Sequence, residues 1–70
     1  MAEVLAEMAA NVWKVMARPG DAVGEGDPLV ILESMKMESP VESPIAGIVR
    51  ELRVEEGGVV QEGDLIAVVE

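Results

Sequence analysis

The chain has no cysteine and no histidine. Disulfide staples and ordinary zinc or copper centres are thereby excluded, as are the thiolate nucleophile and the commonest general base. Tyrosine and phenylalanine are also absent, which leaves Trp13 as the sole aromatic residue. The core must then come from the packing of Val, Ile, Leu, Met and Ala. Basic residues are scarce: five Lys and Arg stand against fourteen Asp and Glu, a formal net charge of -9. Nucleic-acid partners need clustered positive charge and are not expected. The acidic residues are spread along the chain rather than gathered in a tail, the pattern of a solvated surface. No run approaches the roughly 18 apolar residues of a membrane span, so no membrane partner is expected. Glu3 and Glu7 near the N-terminus argue against a secretory leader. Cytoplasm is the expected compartment. Seventy residues make one domain, 1–70, near the lower limit for folding without staples. Such a domain has little room for a pocket, and an independent enzyme is not expected.

What is present repeats itself. A shift of 37 positions lays residues 4–33 over 41–70. Nine positions are then identical, among them Val12/Val49, Gly20/Gly57, Val23/Val60, Gly26/Gly63 and Asp27/Asp64. The register holds over the whole half without a gap. Two Gly-rich turns that resemble each other by chance would not produce that.

The second half reads as strands: Ile48 to Val54 and Leu65 to Val69 are β-branched runs bounded by Gly and Asp. Leu29 to Leu32 is another. Residues 2–18 conflict with this pattern. Leu5, Met8, Val12 and Val15 have helical spacing, and taken alone the segment reads as an amphipathic helix. The repeat overrules that reading, because Val12 to Ala17 must adopt what Val49 to Val54 adopts. Strands are therefore predicted across 2–18. Turns fall at 19–21, 24–28, 56–58 and 62–64, where Gly supplies positive φ or close backbone approach. The Gly-x-Gly-Asp at 24–27 is not followed by a helix, so a dinucleotide site fails its own context test. The fold predicted is all-β, a sandwich or flattened barrel with a pseudo-twofold axis. Residues 34–40 join the halves and should lie at the end of the domain opposite the termini.

That connector carries Glu33-Ser34-Met35-Lys36-Met37-Glu38. Only two lysines exist, Lys14 and Lys36. Lys14 falls in a strand pattern and reads as solvent decoration. Lys36 stands between strand runs, flanked by methionines. If Met35-Lys36 tips a two-residue hairpin, turn preference for Asn, Asp or Gly is violated, as happens at functional sites. The residues also allow a plainer arrangement, with Met35 and Met37 folded inward and Lys36 merely pointing to water.

The string around Lys36 resembles the signature of the biotinyl domain of biotin-dependent carboxylases, whose modified lysine sits in Met-Lys-Met. Gly20-Asp21-x-Val23-x-x-Gly26-Asp27-x-Leu29 before it is similar to the same family. So are Ser43-Pro44-x-Ala46-Gly47-x-Val49 and Gly57-x-x-Val60-x-x-Gly63-Asp64-Leu65-Ile66 after it. The resemblance covers essentially the whole chain, which resembles the short stand-alone bacterial biotin/lipoyl attachment proteins more than a fragment of a long carboxylase. It implies a flattened barrel of two four-stranded antiparallel sheets with the lysine on an exposed hairpin. It further implies biotin joined covalently to Lys36 by a biotin protein ligase, with Met35, Met37 and Glu33 as ligase-recognition residues. A biotin carboxylase and a carboxyltransferase would then be served in turn by a carrier that is a monomer on its own. One departure is visible. The family's Ser-Pro-x-x-Gly segment is kept at Ser43-Pro44-Ile45-Ala46-Gly47, but its first-half counterpart reads Ala6-Glu7-Met8-Ala9-Ala10.

Attachment joins a lysine amine to an acyl group. An ordinary lysine amine is protonated at neutral pH, and the nearby residues offer no base better than Glu33 or Glu38. The ligase must supply the activated acyl group and the base, so Lys36 is a substrate residue and no residue is catalytic. Two other readings compete. A lipoyl carrier, with lipoate as cofactor, shares the fold but usually presents Asp-Lys. A passive β-sandwich binding module needs no special lysine.

Overall fold

The computed structural model describes all 70 residues. They form eight strands and no helix: β1 (Ala2–Leu5), β2 (Ala10–Val15), β3 (Ala22–Val23), β4 (Pro28–Ser34), β5 (Met37–Glu42), β6 (Gly47–Leu52), β7 (Val59–Val60) and β8 (Leu65–Val69). Two four-stranded antiparallel sheets result, ordered β1-β8-β6-β3 and β5-β4-β2-β7. Each sheet takes two strands from each half of the sequence. Neither half can therefore complete a sheet by itself.

The shift of 37 carries β2 onto β6 and β3 onto β7, end for end. It also carries the irregularities. β2 pairs Val12 with Leu32 and Lys14 with Ile31, so Trp13 is an extra residue. β6 pairs Val49 with Val69 and Glu51 with Val68, which leaves Arg50 extra at the equivalent place. A bulge turns two successive side chains to one face. Trp13 and Lys14 are both exposed, as are Arg50 and Glu51, while Val12 and Val49 beside them are buried. The bulge therefore stretches the inward spacing from two residues to three, between Val12 and Val15. The bulge accounts for the Val12-to-Val15 step of the helical spacing in residues 2–18; Leu5 and Met8, the other two members, are exposed.

The strand expected at Val12 to Ala17 ends at Val15, and the one expected at Ile48 to Val54 ends at Leu52. The ladder stops because Met16 and Ala17 both donate to the Leu29 carbonyl, at 2.8 and 3.2 Å. The chain turns away there rather than advancing along β4. The run expected at Leu29 to Leu32 is longer than predicted, Pro28–Ser34, because pairing with β5 extends it toward the turn.

Leu29, Val30, Ile66, Ala67 and Val69 have no exposed surface, and Val12, Leu32, Val49 and Val60 have almost none. The core lies between the sheets and contains aliphatic residues only. Methionine, expected there, is absent from it: all five methionines are exposed, as is Trp13. The gap between the sheets is filled by short branched side chains, and the methionines fall outside it, four of them off the strands and Met37 at an outward position of β5.

The Gly-Asp turns are structural. Gly26 and Gly63 adopt φ of 88° and 90°. In the same turns the Asp27 and Asp64 carboxylates accept from the Gly24 and Gln61 amides, both at 2.8 Å. Ser43 is the one buried polar residue; its hydroxyl donates to the Ile45 carbonyl at 2.6 Å. Ala6, its first-half equivalent, is buried without a hydroxyl.

Gly47 serves another purpose. A Cβ there would lie 2.1 Å from the Glu70 carbonyl oxygen. That carbonyl accepts from the Ile48 amide at 2.8 Å, and the Glu70 amide donates to the Ile48 carbonyl at 2.9 Å. Gly47→Ala is expected to push the last residue off β6 and lose both bonds, destabilising the protein by about 1–3 kcal/mol. A thermal melt reads this as a drop of several degrees; an unchanged midpoint would show that the C-terminal residue adds nothing to the sheet.

Candidate functional site

Strands β4 and β5 form the hairpin that presents the connector. Glu33 pairs with Glu38 and Ser34 with Met37, so Met35 and Lys36 alone make the turn. Below the tip the hairpin is anchored on a buried base of Val30 and Leu32. β4 is held on both sides, by β5 and by β2. The base is thus fixed by two ladders, and only the tip projects.

Met35 has φ of 58°, the one non-glycine residue with positive φ. This is the position that glycine fills in a type II′ hairpin turn. A left-handed conformation costs an L-residue about 1–2 kcal/mol. Met35 is 97% exposed and Met37 69%, and Lys36 is exposed between them. The inward-folded alternative for the methionines does not occur. The Met35 thioether contributes no packing that would offset its backbone cost, so the fold gives no reason for methionine at that position.

Electrostatics around the lysine are one-sided. Glu33, half-buried, and Glu38, exposed, stand directly opposite each other beneath the turn. Like charges in such a cross-strand pair are destabilising. The two ion pairs of the molecule are elsewhere, Arg50–Glu70 at 2.7 Å and Arg53–Glu51 at 3.5 Å. Neither lysine is in an ion pair. Lys14 lies on the face of β2 with its Nζ 5.9 Å from the Trp13 ring centroid, an ordinary surface cation–π contact.

No surface cleft is lined by any residue from 33 to 38, and no cluster of acidic side chains is arranged to hold a metal. The site is a presented side chain rather than a cavity. Its chemistry is that of one free primary amine on a rigid support, open to an enzyme that approaches from outside.

The four residues singled out in the sequence, Glu33, Met35, Lys36 and Met37, are brought together on this one hairpin. In the sequence Glu38 stands out only as a weak base. Its role as Glu33's cross-strand neighbour was missed, although the string is symmetric about the tip: a two-residue turn between Ser34 and Met37 obliges the two glutamates to face each other.

The family model described as "Biotin-requiring enzyme" matches residues 1–69. A "Biotinylated protein TB7.3 homolog" of Mycobacterium leprae is 56% identical over 67 residues, covering 96% of this chain and 94% of that protein. A "Biotin/lipoyl attachment protein" of Bacillus subtilis is 47% identical over 60 residues, 86% of this chain and 82% of that protein. Among solved structures, the urea carboxylase of Kluyveromyces lactis superposes with a TM-score of 0.91 at 35% identity. That match covers 99% of this chain but 6% of the enzyme, so the fold occurs there as one small part of a much larger carboxylase. Matched along nearly its full length by the family model and by relatives of similar size, the chain belongs to the biotin/lipoyl attachment family.

Proposed function

We propose that this protein is a biotin carboxyl carrier that holds biotin as an amide on Lys36 Nζ. One observation carries the reading: Lys36 is exposed, free of any ion pair, at the tip of a two-residue turn whose neighbour Met35 sits in a conformation methionine does not favour. The chain is a substrate and a carrier, not a catalyst. A biotin protein ligase supplies the activated biotinyl group; the lysine nitrogen takes the acyl group, the activating group departs, and the amine proton goes to a base on the ligase. Met35, Met37 and Glu33 form the surface that the ligase reads, with flexible, polarizable thioethers as adaptable contacts.

Bound biotin supplies a group that takes up and gives up a carboxyl unit. The protein's part is to hold that group on a long arm over a rigid base. Tethering of this kind gives effective concentrations of about millimolar at each partner's site. A biotin carboxylase and a carboxyltransferase are the partners this reading requires. It also takes the carrier to be a monomer on its own, acting in the cytoplasm. The structure contains no helix long and apolar enough to cross a membrane.

The test is treatment of the purified chain with biotin protein ligase, ATP and biotin, followed by intact mass and peptide mapping. One biotinyl group on Lys36 and none on Lys14 is the expected result. Absence of modification, or modification of Lys14, overturns the reading. The name of the Bacillus subtilis relative favours one alternative, a lipoyl carrier, and a parallel reaction with lipoate ligase separates the two. Met35→Asp creates the Asp-Lys pair of lipoyl domains. It is expected to slow biotinylation sharply and to raise acceptance of lipoate. Stability should change by no more than about 1 kcal/mol, since Asp tolerates a positive φ at least as well as Met does. Equal biotinylation of both proteins would show that Met35 is not a recognition element.

A further inference from the structure

The hairpin holds a second chemistry. The chain lacks cysteine, so its thioethers are the side chains most open to peroxide oxidation. All five are exposed, but unequally: Met35 97%, Met1 79%, Met37 69%, Met16 48% and Met8 37%. Apart from the first residue of the chain, the two most accessible thioethers are the pair that brackets Lys36. Neither is shielded by packing, and Met35 is kept at a backbone position where glycine would be less strained.

We propose that Met35 and Met37 are a reversible oxidation site that closes Lys36 to its ligase. This rests on the functional reading above. A hydroperoxide is the oxidant. The methionine sulfur attacks one peroxide oxygen, the O–O bond breaks, an S–O bond forms, and the displaced oxygen leaves as water or alcohol after taking the remaining proton. Sulfur loses two electrons and the peroxide gains them, while the net charge of the protein stays the same. The sulfoxide is a polar, chiral group in place of a flexible apolar one. It removes the surface the ligase reads and leaves the core untouched, since both side chains lie outside it. Return to the thioether requires a sulfoxide reductase and a dithiol, which is oxidised to the disulfide as the oxygen leaves as water. The dithiol must come from a partner, because this chain has none.

The experiment exposes the purified chain to hydrogen peroxide, maps sulfoxides by peptide mass, and measures biotinylation of the reduced, oxidised and reductase-treated protein. Sulfoxide is expected at Met35 and Met37 before Met8 and Met16. Biotinylation should fall by roughly tenfold, the scale of losing thioether contacts at two positions, and should recover after reductase treatment with no change in the thermal midpoint. The double variant Met35→Leu/Met37→Leu, whatever its starting rate, should keep that rate after peroxide. Equal rates for oxidised and reduced wild type overturn the proposal. So does earlier oxidation of Met8 and Met16, or an equal loss in the double variant. If the reduced chain takes no biotin, the functional reading fails instead, and the order of oxidation still decides whether this is the reactive pair.

Discussion

Lys36→Ala is expected to fold as the wild type does and to take up no biotin at all. The side chain is exposed and forms no ion pair, so its removal should change stability by no more than about 0.5 kcal/mol. The loss of attachment should nevertheless be complete, because the only other lysine is Lys14. Lys14 projects from a sheet face beside Trp13, not from a turn, and has no methionine on either side. A ligase that reads a projecting hairpin has nothing to grip there. The measurement is streptavidin capture and intact mass after ligase treatment, with a thermal melt as the folding control. Retained biotinylation of a folded Lys36→Ala protein would refute the assignment.

The second large effect concerns the core between the two sheets. Leu29 and Ile66 occupy equivalent places in the two halves, and both are fully buried. Each sits where the ladder skips a residue: β4 passes from Pro28 to Val30 against β5, and β8 from Leu65 to Ala67 against β1. Leu29→Ala and Ile66→Ala should each cost about 2–5 kcal/mol through lost burial and an unfilled cavity. A domain of this size has roughly 4–10 kcal/mol of stability in total. Either variant should therefore lose about half of its stability and unfold at a much lower denaturant concentration than the wild type, becoming a poor ligase substrate there although Lys36 is present. The two losses should be similar, because each sheet draws strands from both halves. Denaturant titration decides this; a loss below about 1 kcal/mol in either variant would show that the core does not close as one unit.

Much of the fold was readable because the sequence contains two copies of it. Residues 2–18 alone point to a helix, and the second copy corrects this, since Ile48 and Val49 lie in an unambiguous strand. The three-residue step from Val12 to Val15 was not readable. An extra residue at Trp13 and at Arg50 exists only relative to the partner strands β4 and β8. Pairing between distant segments sets it, and a single segment does not record it. The two-residue strands β3 and β7 were hidden for the same reason. Each is too short to carry a period and is defined by its neighbours, β6 and β2.

The site divides in the same way. The sequence by itself determined which amine is distinctive, since Met35-Lys36-Met37 between two strand runs singles out one of two lysines. It also removed the histidine- and cysteine-based routes to catalysis, since neither residue is present. Only the tertiary structure decided where the methionines go. Composition allowed them inside, and the core excluded them because Leu29, Val30, Leu32, Ile66 and Val69 already fill the space between the sheets. Only the structure set Glu33 against Glu38 and made Gly47 obligatory beside the Glu70 carbonyl. Local sequence fixes which atoms a turn carries. Exposure, facing charge and close approach depend on which distant strands lie alongside, and that is settled when the two halves pack.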